Sequence, residues 1–130
     1  MRYQDWPSRL SAFVAAARAR PFEWSVQDCA TFARDWIETA TGERVFEPPY
    51  TDARSATQYI EAQGGMRAAV SAAIGEPMAN PMAAGRGDVA LVKNAGREIL
   101  GVVMGEHVAA PGGDRVLMVP RAAIVAAWII

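Results

Sequence analysis

Two hydrophobic periods divide this chain, and they do not mix. Apolar residues recur at helical spacing up to residue 74 and as short β-type runs after residue 88. Trp6, Leu10, Phe13, Val14 and Ala17 trace one helical stripe, with Pro7 suited to a first turn and Pro21 beyond the end. Cys29, Phe32, Ala33, Trp36, Ile37 and Ala40 trace a second, followed by Gly42 where a C-terminal cap belongs, so Cys29 falls in that helix's first turn. Glu47-Pro48-Pro49-Tyr50 cannot continue a helix. A shorter helix is expected over Ser55–Gln63, closed by Gly64-Gly65, and another over Met66–Ile74.

The stretch from Gly75 to Gly87 lacks periodicity and reads as an exposed connector. Beyond it, Val89–Val92, Leu100–Met104, Val108–Ala110 and Val116–Val119 are short runs rich in Val. Asn94-Ala95-Gly96, Gly105-Glu106 and Gly112-Gly113-Asp114 separate them. Turns this close leave no room for crossover helices, so the strands are expected to pair as antiparallel hairpins. Pro120–Ala123 reads as a turn and Ala127–Ile130 as a last strand. Helices first and strands afterwards predict the α+β class, with N-terminal helices packed on a small antiparallel sheet. At 130 residues, the expectation is one domain over 1–130.

Charge and composition remove several functions. Thirteen Lys plus Arg balance fourteen Asp plus Glu, which gives no electrostatic footprint for nucleic acid or anionic lipid. Ala122–Ile130 is the longest apolar run and is too short to cross a bilayer. The first residues, Met1–Asp5, lack the regions of a signal peptide, so neither membrane insertion nor signal-directed export is expected. With one Cys and one His, the chain has no internal disulfide and no standard structural zinc pattern, and neither metal nor cofactor is expected.

Chemistry therefore turns on Cys29. A thiol in a helix's first turn meets unpaired amides and the positive end of the dipole, which favour a nucleophilic thiolate. The competing reading is a small core hydrophobe, since Cys29 also begins the apolar stripe. Asp28 reads as the helix cap, whose charge opposes thiolate formation. His107, the only histidine, is the one candidate base. It follows the Gly105-Glu106 turn, where exposure is usual. Asp88 reads as a turn residue, Trp24, Trp36 and Trp128 as core, and Arg18, Arg20 and Arg34 as part of a solvated face.

The segment Pro21-Phe22-Glu23-Trp24-Ser25-Val26-Gln27-Asp28-Cys29-Ala30-Thr31-Phe32 resembles the nucleophile region of the NlpC-type cell-wall peptidases. Arg86-Gly87-Asp88-Val89-Ala90-Leu91-Val92 looks like that family's Gly-Asp strand, Ile99–Gly105 like its next strand, and Val108-Ala109-Ala110-Pro111 like the third. The resemblance implies a papain-like fold and a cysteine endopeptidase acting on peptidoglycan, with a His on the second strand and a polar residue on the third. Those positions fall on Ile99 and Ala109, neither of which is a base, and Phe22 stands where many active members have tyrosine. The degenerate pattern is similar to small phage or prophage tail components. It implies a tail-tip structural protein, assembled in the host bacterial cytoplasm, whose partners are other tail proteins and peptidoglycan. The connector and the C-terminal strand are the expected contact surfaces. An active hydrolase using Cys29 and His107, and a peptidoglycan-binding module, are the competing functions.

Overall fold

The computed structural model, covering residues 1–130, has four α-helices followed by one five-stranded antiparallel sheet. The helices are α1 (Trp6–Arg18), α2 (Cys29–Thr41), α3 (Ala53–Ala62) and α4 (Met66–Ile74). The strands are β1 (Val89–Asn94), β2 (Arg97–Val103), β3 (His107–Gly112), β4 (Arg115–Pro120) and β5 (Ile124–Trp128), in the spatial order β4-β3-β2-β1-β5. The class is α+β, as the segregation of periods predicts. No helix is long and apolar enough to cross a membrane.

Helix α2 is the central element because two of its faces are apolar. Phe32, Trp36 and Ala40 pack with Leu10, Val14 and Ala17 of α1 and with Val102 and Ala109 of the sheet. Ala33 and Ile37 pack instead with Val89, Leu91, Leu100, Ala126 and Trp128. Trp36 is fully buried, and its indole N–H donates to the Gly87 carbonyl at 2.8 Å, which satisfies the one polar atom it carries inside. The helix stops at Gly42, whose φ of +84° suits glycine; a side chain there would strike the Tyr3 hydroxyl.

Several sequence expectations need correction. Strands β1 and β2 run further than their apolar runs, to a two-residue Ala95-Gly96 turn in which both residues have positive φ. The extension carries the charged pair Lys93 and Glu98 and so has no apolar signature. Strand β5 begins at Ile124 and ends at Trp128, earlier than the apolar tail suggested. A bulge shifts its register between Val92↔Ile124 and Leu91↔Ala126, placing Ile124 and Ala126 on opposite faces. Ile129 projects outward, 77% exposed.

Most of the connector is exposed, as its composition predicts, but its inner side packs on the sheet. Ala84 is buried, Met78 packs beside it, and both cover the sheet face opposite the helices, over Ala90, Val92, Val103, Val108 and Ala127. The Met78 amide donates to Ala127, and the Arg121 guanidinium donates to the carbonyls of Met82, Ala84 and Gly105. Both sheet faces are therefore closed. Arg34 also departs from the solvated-face reading: its side chain is buried, 2.7 Å from Asp35 and 3.8 Å from Glu47.

Asp88 proves to be more than a turn residue. Its carboxylate accepts from Arg2 at 2.7 Å, from the Ile130 amide at 3.2 Å and from the Gly85 amide at 2.9 Å, while Arg2 donates to the Ile130 carbonyl at 2.8 Å. Replacing it leaves a largely buried guanidinium and two amides without their acceptor. Asp88→Ala is expected to lower unfolding stability by about 3 kcal/mol in urea melts, and Arg2→Met in the same background to recover part of it.

Candidate active-site cleft

Between the start of α2, helices α3 and α4, and the tips of the β1–β2 and β3–β4 hairpins lies a cleft of about 560 Å³. It exists because α3 and α4 bury little of themselves. Ala56 is the only buried residue of α3 and Val70 the only one of α4, so the pair stands as a wall. Of its 31 lining residues 22 are hydrophobic, which places it in the size and polarity range of small-molecule and peptide sites.

One side of the cleft is aromatic. Phe22 meets Trp24 edge-on at 4.8 Å, Trp24 meets Tyr50 at 6.3 Å, and Tyr50 lies 6.2 Å from Tyr59 and 6.4 Å from Phe46. A tight turn delivers the first two rings. Ser25 has a positive φ of 63°, and Glu23 and Gln27 exchange backbone hydrogen bonds across it. Trp24 is 36% exposed at the mouth, whereas Trp36 and Trp128 are core.

Asp28 ties this turn to α2. One carboxylate oxygen accepts from the Thr31 amide at 2.9 Å, and the Thr31 hydroxyl accepts from the Asp28 amide, making a reciprocal cap. The other oxygen accepts from the Ser25 amide at 2.8 Å, and the Tyr50 hydroxyl lies beside the carboxylate. At 1% exposure, with one backbone amide on each oxygen, Asp28 serves as an anchor and not as a proton acceptor for substrate. Burial, then the Asp28 charge, push the Tyr50 hydroxyl well above the usual tyrosine range, so it stays protonated.

Cys29 lies on the floor of the cleft, against Leu100. The backbone amides of Leu100, Cys29 and Ala30 lie near the sulfur, and all three favour the thiolate. They do not prevail. Burial is the largest influence and, with the Asp28 charge added, pushes the thiol from 9.0 up to about 11. Of the two sequence readings of Cys29, activated thiolate and small core hydrophobe, the second fits: the dipole is present, but desolvation outweighs it.

No base reaches the sulfur. His107 opens β3 at the far end of the β2–β3 hairpin, where its carbonyl accepts from the Met104 amide at 2.8 Å, and its side chain is exposed. Met104 is four residues along from Leu100, roughly 13 Å at strand spacing, and His107 does not line the cleft. The Cys29–His107 pair is not formed. Strand alternation also shows that Leu100 faces the thiol, while the Ile99 side chain packs on the far sheet face and reaches the cleft only at its rim. Ala109 is fully buried against the α1–α2 layer. Nor do three or more His, Cys, Asp or Glu side chains converge as a metal site.

Sequence reading missed Tyr50, Phe46 and Tyr59. Their only signal was Phe46 and Tyr50 flanking Pro48-Pro49, and it is the contact of Tyr50 with Trp24, 26 positions earlier, that makes them a wall of the cleft. Fold and cleft together define an α+β protein with a half-buried thiol at the start of its central helix. The family described as Domain of unknown function (DUF6950) matches residues 1–130, and the chain belongs to it. No curated protein and no solved structure matches the chain.

Two expectations follow. Iodoacetamide alkylation of Cys29 should be slow at neutral pH and rise about tenfold per pH unit until close to pH 11, with an unchanged profile in His107→Ala. Because the unfolded thiol ionises near 9 and the folded one near 11, Cys29 contributes stability that is complete below pH 9 and lost as pH rises to about 11. Cys29→Ala should flatten that part of the stability–pH curve, read by urea midpoints at each pH.

Proposed function

We propose that the chain is a tail-associated structural protein of a phage or prophage, built on an NlpC-like, papain-like scaffold whose peptidase site is retired. The observation that carries this reading is the surroundings of Cys29. The thiol keeps the helix-start position that such peptidases use, yet it faces Leu100, has no base within reach, and is pushed up to about 11. At neutral pH a thiol of that kind is almost wholly protonated, and nothing nearby removes its proton as it attacks. The NlpC likeness itself rests on the quoted sequence segments and the order of helices and strands, and fold alone does not carry activity.

Wild-type protein and Cys29→Ala are expected to release no new amine ends from purified peptidoglycan, both matching buffer. Release by wild type at ten times the rate of Cys29→Ala would revive the hydrolase reading. The tail assignment is tested in the bacterium that carries the gene. After prophage induction, mass spectrometry of purified tails should recover the chain in fixed proportion to the major tail protein, and its absence from intact tails would sink the assignment.

A further inference from the structure

The cleft has a second property that hydrophobic lining does not explain: the sheet comes apart at its edge. Strand β2 stays paired with β1 along its whole length, to Arg97↔Asn94. With β3 it pairs only at Val102↔Ala109 and Val103↔Val108. The Val103 amide donates toward β1, to Asp88, so by strand alternation the backbone groups of Val102, Leu100 and Glu98 point toward β3. Continuing the register, Leu100 would meet Pro111, which has no N–H to give. From there β3 follows β4, with Pro111↔Val116 and Gly112↔Arg115, and the tip is held elsewhere by the Phe22 amide donating to the Gly113 carbonyl at 2.9 Å. The seam so opened has Glu98 and Leu100 on one side and Pro111 and Gly113 on the other, and all four line the cleft above Cys29.

We infer that this cleft receives an extended, apolar segment of a neighbouring polypeptide, added as a strand to the free edge of β2 at Glu98 and Leu100. The occupant is a peptide because of those backbone groups. An acyl chain would fill the apolar volume but bury them without partners, whereas a peptide backbone satisfies them while its alternate side chains enter the aromatic wall. Headgroup recognition is also unsupported. The lining cations are Arg34, committed to Asp35 and Glu47, and Arg97 on the exposed hairpin tip beside Glu98. The proposal deepens the retired-site reading and rests on it: a site that no longer turns over peptides holds one.

The test is fluorescence polarisation of the full chain against a library of end-blocked, labelled octapeptides with Val, Leu, Phe, Thr and Ser in alternating patterns. Micromolar binders are expected. N-methylation of alternate residues in a binder should weaken it about 10-fold or more, and methylation of the intervening residues much less. Glu98→Pro removes an edge donor without touching the β1 pairing and should weaken binding to the same extent. Pro111→Val restores the missing N–H, lets β3 close on Leu100, and should abolish binding with no fall in Tm. The inference is overturned if no library member binds, if binders are indifferent to N-methylation and to Glu98→Pro, or if cis-parinaric acid binds and displaces them from both variants equally. Cys29-dependent cleavage of a bound peptide, seen by mass spectrometry, would end the retired-site reading while leaving the strand pairing in place.

Discussion

A buried carboxylate is costly without hydrogen-bond donors, and at Asp28 the two donors come from separate stretches of chain, with a tyrosine from a third beside them. The Thr31 amide belongs to α2, the Ser25 amide to the turn that carries Trp24, and the Tyr50 ring to the loop after Pro48-Pro49. Meeting that requirement sets the direction of α2 and brings the aromatic residues to one wall. It also places a negative charge next to Cys29. The contact that organises the cleft therefore works against the thiolate that a nucleophile needs, and burial by the same aromatic and aliphatic neighbours adds to the opposition. In this chain, making the cleft well ordered and making the thiol reactive pull in opposite directions.

The sheet answers a second constraint, which is thickness. It is covered by helices on one face and by the connector on the other, although the connector offers only Met78, Ala84 and one short turn. Such thin cover suffices because the far face carries small residues, Ala90, Ala110 and Ala127 among the valines. Gly101 belongs to the same economy of space, since a side chain there would run into the Ala109 carbonyl, so the β2–β3 approach depends on its absence. Arg121 then closes the connector against the sheet through three carbonyls, a use of arginine as a multidentate donor that involves no partner charge.

How far the sequence announces this structure depends on how local the cause is. Helices α1 and α2 and the hairpin order were legible because each rests on periodicity and turn residues within a dozen positions, and the Asp28 cap because its partner is three residues away. Helix α2 was legible as the central element for the same reason: its apolar positions cover two faces. The start of β2 at Arg97 was not, because its first residues are charged and exposed, and only pairing with β1 makes them strand. The bulge in β5, the burial of Arg34 and the closing of the far face by the connector depend on residues tens of positions away. Cys29 shows the limit most clearly. The helix start and the apolar stripe through Cys29 were both legible, and they pointed to opposite pKa shifts; which one prevails depends on Leu100 and the cleft walls, far from residue 29 in sequence.

The same distinction bears on why a cleft persists around a poor nucleophile. An apolar hollow of this size lined by Ile, Val, Met and aromatic side chains holds water badly, and protein interiors otherwise pack without such space. Here α3 and α4 could fill it only by leaning onto the sheet, but the loop that leads into α3 packs Tyr50 beside Asp28 at the start of α2. The same loop is tied to α2 outside the cavity through Arg44, which bonds both Glu38 of α2 and Glu47. The wall is thus held by the position of its leading loop, and the seam at Pro111 keeps the sheet from closing beneath it. Those braces stabilise an open cleft independently of any chemistry at Cys29, and a binding role requires nothing more of the fold.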